Sequence, residues 1–333
     1  MPRQPRLDIP GALYHVIVRG IERRAIFHDQ RDKAGFLERF GNLVVDCRLL
    51  CYAWALLTNH IHLLVSPTSC ALSLFMHRLL TGYAVTFNHR YTRSGYLFQS
   101  RYRAILCQRE AYFQQLVKYI HRNPLRAGLV ETLDELDRYP RCGHAALMGN
   151  IPYSWQAVEE TLRHFGSRPQ RAKLAYRKHL EDIQNAEDGD RYEGGGLIRS
   201  AGDRDIAKAL LASRFSYSRD ERILGDGDFV KDMLRRREEQ DIQKRRLISE
   251  GWNYEKIVEY VCGRTGVEAS KISIKCKGQK GAQARALVAY LCHRWLGMRV
   301  TQIAGFLGVS QPAASQLIQK GRPAGEDIRM GME

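Results

Sequence analysis

Between Leu49 and Val65 the chain reads LLCYAWALLTNHIHLLV, almost wholly apolar, with one polar break at Thr58-Asn59 and a closing Ser66-Pro67. A strand on a protein surface alternates apolar and polar residues, and this stretch does not. It is therefore read as two buried strands, or a hairpin, turning at Thr58-Asn59. The flanking sequence supplies what such strands pack against. Ala12–Arg19 is β-branched, partly alternating and followed by Gly20, which predicts a further strand. Residues 30–47 carry Phe36, Leu37, Phe40, Leu43 and Val44 at helical spacing. Leu72–Tyr91 does the same with Leu72, Phe75, Met76, Leu79, Leu80, Tyr83 and Phe87. Tyr96–Cys107 returns to strand character, and Glu110–His121 forms another amphipathic helix, with Pro124 expected just past its end. The order β, α, β (or ββ), α, β, α predicts an α+β fold, a sheet with flanking helices.

At 333 residues the chain is longer than one ordinary core requires, so two or three domains are expected. Its 44% hydrophobic and 26% charged residues are ordinary for a globular protein. The formal charge of +16 favours a polyanionic partner. Residues 1–130 hold 18 Lys and Arg against 7 Asp and Glu, residues 131–270 hold 24 against 26, and residues 271–333 hold 10 against 3. Two basic ends around a balanced middle imply two nucleic-acid-contacting modules with a different region between them. Asp188–Gly196, with three consecutive glycines, is the best linker and places a boundary near residue 190. The division adopted is 1–150 for a catalytic domain, 151–190 for a helical extension, 191–250 for a charged linker or helical region, and 251–323 for an all-α module. Eight cysteines without a CxxC pair give no disulfide framework. No apolar run reaches the roughly 20 residues of a membrane span, and a cytoplasmic protein with no membrane partner is expected.

His60 and His62 stand two apart in the second apolar strand and so project from one face. Two imidazoles on a rigid face make half of a metal site, although a histidine pair is also a common polar face. Tyr119 and Asn123 are four apart and share a helix face. A phenol and a carboxamide oxygen could then address one metal-centred site, with Tyr119 as the attacking oxygen. Spacing alone leaves open the plainer alternative, in which Tyr119 packs at a helix end and Asn123 precedes a proline stop.

Gly11–Gly20, Asn59-His60-Ile61-His62, Phe98–Arg103 and Tyr119–Gly128 occur in the order seen in the single-tyrosine HUH transposases, and residues 5–150 resemble that family, especially its REP-associated branch. The resemblance implies a ferredoxin-like nuclease domain with an antiparallel sheet. It also implies His60 and His62 as metal ligands, Tyr119 as nucleophile and Asn123 as a third ligand where insertion-sequence relatives usually carry Gln. The implied cofactor is Mg²⁺ or Mn²⁺. The implied chemistry is cleavage and rejoining of single-stranded DNA beside a hairpin or palindromic repeat through a 5′-phosphotyrosine. Relatives include monomers and dimers, so a homodimer is allowed.

Arg19, Arg23, Arg24, Arg101, Arg103, Arg122 and Arg126 bracket these motifs and are candidate phosphate contacts, while Tyr96, Phe98 and Tyr102 are candidates for stacking on unpaired bases. Near the other end, Ala284–Leu296 predicts a helix and Val300–Ile318 a helix-turn-helix. There Gly308 makes the turn, Ser310 caps the second helix and Pro312 sits in its first turn. Gln311, Ser315, Gln316 and Lys320 are then the candidate contacts to duplex DNA. Lys271–Gln319 is similar to the DNA-binding domain of the replication initiator DnaA, but Gly308–Ala313 departs from its base-reading loop. The function expected is a DNA transposase. The alternatives are a non-catalytic DNA-binding transcriptional regulator, or an HUH nuclease of replication or plasmid transfer.

Overall fold

The computed structural model describes residues 7–9, 11–68, 70–182, 220, 222–273, 279–326 and 328. The chain divides into two compact units, Met1–Met233 and Leu234–Glu333. The linker Asp188–Gly196 and the boundary near residue 190 lie outside the described residues.

The first unit runs β1 (Leu13–Arg19), α1 (Gln30–Asp46), β2 (Leu50–Leu56), β3 (His60–Ser66), α2 (Leu72–Arg90), β4 (Arg103–Cys107) and α3 (Arg109–Arg126). It continues through α4 (Leu133–Leu136), α5 (His144–Leu147), α6 (Val158–Arg163), α7 (Pro169–Glu181) and β5 (Ile223–Leu224). The sheet order is β2-β3-β1-β4-β5. The apolar run is indeed a β2–β3 hairpin, closed where Leu57 N–H donates to the His60 carbonyl at 2.9 Å. β1 lies antiparallel between β3 and β4. β5 joins β4 in parallel, with Leu106 N–H on the Arg222 carbonyl at 2.7 Å and Gln108 N–H on the Leu224 carbonyl at 2.8 Å. The sheet is therefore mixed, and its edge strand comes from the stretch expected to be linker or helix.

One face of the sheet, with Leu13, Ile17, Ala53, Ala55, Leu64, Ile105 and Cys107, packs under Leu116, Val117 and Ile120 of α3. Val16, Val18, Ile61, Leu63 and Val65 alternate with these residues and are equally buried. Such double-sided burial is why the run shows no alternation. Leu162, Ala172, Tyr176 and Leu180 of α6 and α7 enter the same core as α3.

Two expectations need correcting. Tyr96–Tyr102 is a loop, tied to β1 by the Gly20–Phe98 bridge and by Gln99 N–H on the Arg19 carbonyl at 2.9 Å; only Arg103–Cys107 is strand. The helix expected to stop before Pro124 runs through it to Arg126. Proline has no N–H for the Ile120 carbonyl, and the loss is met locally. Asn123 Nδ2 donates to the Tyr119 carbonyl at 2.9 Å and to the Ile120 carbonyl at 3.4 Å. The side chain before the proline replaces the missing donor, and the helix continues.

The second unit contains most of α8 (Gly227–Ser249), then α9 (Tyr254–Thr265), α10 (Ser270–Ser273), α11 (Gln279–Trp295), α12 (Val300–Leu307) and α13 (Gln311–Glu326). Ile257, Val261, Ile272, Val288, Leu291, Ile303, Leu307, Ala314 and Ile318 form its core. Gly308, at φ 60°, ends α12, and Ser310 Oγ accepts from Ala313 N–H at 3.4 Å to start α13. The α13 backbone meets α11 at Gly321, where a Cβ would fall on the Ala286 carbonyl. Gly321→Ala must push two helices apart and is expected to lower this unit's stability by at least about 1–3 kcal/mol. Gly305→Ala, in open space within α12, is the control and should be neutral or stabilising by up to about 1 kcal/mol. Native-state hydrogen exchange of α11 amides reads both.

Candidate active site

In the β1–β3 register Ile17 stands opposite His62 and Arg19 opposite His60, so His15, Ile17 and Arg19 share one sheet face with His60, His62 and Leu64. α3 crosses this face and lays the Tyr119 ring on it. The ring meets His62 edge-on at 5.5 Å between centroids and His15 at 5.8 Å. The His60 and His62 rings are 5.1 Å apart. His15, His62, Tyr119 and Asn123 are buried and His60 is half-buried, so the site opens to solvent on the His60 side.

Both members of the histidine pair are held by polar neighbours. His62 Nδ1 is 3.0 Å from His15 Nε2, with the two rings stacked, and His60 Nδ1 is 2.7 Å from Asn59 Oδ1. Asn59 is itself fixed, since its Nδ2 donates to the Arg23 carbonyl at 2.9 Å. Burial, then the neighbouring His15, His60, Arg19 and Arg126, push the His62 pKa well below the usual imidazole range. His62 is thus neutral at neutral pH. The Arg126 guanidinium lies 5.4 Å from the Tyr119 ring centroid. Asn123, with Nδ2 committed to the α3 backbone, keeps its carboxamide oxygen for other work. Among the described residues no group of three or more His, Cys, Asp or Glu side chains is arranged to hold a metal ion.

Residues 9–123 match the family described as Transposase IS200 like. This stretch is similar to the IS200-like transposases. The match takes in His15, His60, His62 and Tyr119 and ends on Asn123, about a third of the chain. A solved REP-associated tyrosine transposase bound to a REP hairpin is 18% identical, with a TM-score of 0.37, and the alignment covers 47% of this chain and 92% of that one. No curated protein matches the chain.

The matched stretch contains one residue beside the histidine pair that the sequence pattern does not single out. His15 was visible inside the Gly11–Gly20 motif, but its pairing with His62 depends on strand register, which a single sequence does not state. Of the candidate phosphate contacts, Arg23, Arg24, Arg101, Arg103 and Arg126 are exposed and Arg19 is half-buried beside His60. Arg23 sits at φ 59° in a loop pinned to the hairpin turn, where Ile26 N–H donates to the Thr58 carbonyl at 2.9 Å. Arg122 is placed differently: half-buried, it donates through Nη1 to the Leu180 carbonyl at the end of α7. Tyr96 is 84% exposed, whereas Tyr102 is buried and Phe98 half-buried near Tyr83, so only the first presents an open ring face. In the second unit Gln311, Gln316 and Lys320 are exposed on α13 and Ser315 is half-buried.

Proposed function

We propose that the chain is a metal-dependent DNA transposase that cleaves and rejoins single-stranded DNA through a 5′-phosphotyrosine at Tyr119. The observation that carries this reading is the Tyr119 ring packed 5.5 Å from His62, one helical turn before Asn123 and on the face of the histidine pair. The donors suit a small divalent ion. The Nδ1 contacts to His15 and Asn59 make Nε2 the coordinating nitrogen of His62 and His60, as outer-shell partners do in metal sites. Asn123 Oδ1 is the remaining protein donor. Held by His60, His62 and Asn123, Mg²⁺ or Mn²⁺ would polarise the scissile phosphate and offset its developing charge.

The chain's own residues do the rest. Tyr119 Oη attacks phosphorus, the 3′-hydroxyl leaves, and the 5′ end stays on the tyrosine until a DNA 3′-hydroxyl attacks in turn and restores the phenol. Arg126 places positive charge beside the Tyr119 ring, where an incoming phosphate would meet it. Arg19, Arg23, Arg101 and Arg103 hold the backbone on either side. Tyr96 stacks on an unpaired base. Tyr96→Ala is expected to weaken single-strand binding by about 1–3 kcal/mol, with Tyr96→Phe near wild type, in fluorescence anisotropy.

In the second unit we read α12, Gly308–Ser310 and α13 as a helix-turn-helix, in which Gln311, Ser315, Gln316 and Lys320 would read a duplex flank. The test of the whole reading is a covalent protein–DNA adduct on denaturing gels, using hairpin-flanked single strands with randomised flanks, with and without Mg²⁺ or Mn²⁺. Absence of any adduct across the pool overturns it. Cleavage without rejoining to a second strand favours a nuclease of replication or plasmid transfer.

A further inference from the structure

Two residues beyond Tyr119, and so about 200° around α3, His121 is fully buried in a hydrogen-bonded chain that strand transfer does not use. Its Nδ1 lies 2.8 Å from the Tyr176 hydroxyl of α7, and the same hydroxyl lies 2.5 Å from His144 Nδ1 of α5. His144 Nε2 is 2.6 Å from Asp137 Oδ1. Arg177 closes the outer end, 3.2 Å from the Asp137 carboxylate and 2.7 Å from each of Asp134 and Glu181. The Cys142 thiol donates to the His121 carbonyl at 3.7 Å.

The chemistry of the outer end fixes the direction of every bond. Burial works against the Asp137 carboxylate, but His144 and Arg177 hold its pKa below the usual range, so it accepts and His144 donates from Nε2. Burial keeps His144 neutral, so its Nδ1 accepts from the Tyr176 hydroxyl. One hydroxyl cannot donate twice, and His121 Nδ1–H must donate to the Tyr176 oxygen. His121 Nε2 is then a bare acceptor, buried and without a hydrogen-bond partner among the described residues. The chain ends at α3 and does not pass through it, so it is an anchor and not a proton path.

An anchor here is useful because α3 rests on the sheet through Leu116, Val117 and Ile120, whose apolar contacts have no preferred direction, and other side-chain ties, Gln114 to the His164 carbonyl and Arg122 to the Leu180 carbonyl, run through long flexible side chains. We propose that Tyr176 and His144 are positioning residues for the nucleophile helix, the Asp137–His144–Tyr176–His121 chain fixing the rotation of α3 that sets Tyr119 and Asn123 over His60 and His62. This rests on the strand-transfer reading, and it gives the residues around α5 and α7, beyond the matched transposase segment, a part in the same chemistry.

The test is Tyr176→Phe in the full chain, which removes one oxygen and leaves both imidazole Nδ1 atoms without their partner. With saturating hairpin-flanked single strand and Mn²⁺, well below the unfolding temperature, adduct formation per active molecule should slow roughly 10- to 100-fold. Single-strand affinity should change less than about twofold, because Tyr176 is fully buried and presents no surface to a ligand. Amide exchange across residues 117–124 should accelerate. His121→Asn, whose carboxamide can stand where Nδ1 does, should recover most of the rate, while His121→Leu should resemble Tyr176→Phe. A purely structural role lowers the melting temperature and the active fraction but leaves the rate per active molecule intact, and that result overturns the proposal. Wild-type protein that forms no adduct counts against strand transfer alone. The exchange measurement, made without DNA or metal, then decides the anchor: unchanged exchange overturns it.

Discussion

Tyr119→Phe is expected to form no covalent adduct under conditions in which the wild-type chain does. The substitution is unusually clean, because every described role of Tyr119 other than its hydroxyl survives it. The ring contacts to His62 and His15, the Arg126 contact and the backbone carbonyl that receives Asn123 Nδ2 are all kept by phenylalanine. A volume-conserving change of this kind costs less than about 1.5 kcal/mol of stability. Removing a nucleophile that acts with other groups as a unit lowers the chemical step by roughly 10⁴- to 10⁶-fold, which on a gel is zero. Single-strand affinity should stay near wild type, since the arginines and Tyr96 are untouched. Persistence of the adduct in Tyr119→Phe would move the nucleophile to another tyrosine and end the reading built on α3.

What the sequence disclosed of this domain, and what it withheld, divides along one physical line. Elements held by local pattern were readable: the doubly buried hairpin from its apolar run broken once at Thr58-Asn59, α1 and α2 from helical spacing, and the shared face of Tyr119 and Asn123 from their separation. Features held by contacts distant in sequence were not. The parallel strand β5 is two residues long and exists only because Arg222 and Leu224 carbonyls meet β4. The pairing of His15 with His62 needs a strand register. Proline's usual effect on a helix misled the reading at Pro124, since the compensating donor is a side chain, Asn123, and a rule about backbone N–H groups does not see it. Tyr102 read as a stacking candidate because aromatic residues among arginines fit both a nucleic-acid surface and a core; only Tyr96 proved open.

The pairing of His15 with His62 also makes the histidine site testable in graded steps. His60→Ala and His62→Ala are each expected to abolish cleavage while single-strand affinity changes little, because the proposed DNA contacts are arginine and aromatic side chains elsewhere. Alanine at His62 leaves a hole in a fully buried position, so His62→Leu, which refills most of that volume, separates lost ligation from lost packing. His15→Leu should fall between these and wild type. It removes the contact at His62 Nδ1 but leaves Nε2 to coordinate, and loss of an outer-shell partner typically costs about 10- to 100-fold in metal affinity. Mn²⁺ titration followed by electron paramagnetic resonance, in the absence of DNA, should rank affinity as wild type above His15→Leu above His62→Leu. If His15→Leu instead binds Mn²⁺ as wild type does while unfolding at lower temperature, His15 is only a packing partner. If His62→Leu keeps full Mn²⁺ affinity, the metal lies elsewhere and the histidine pair is a structural feature of β3.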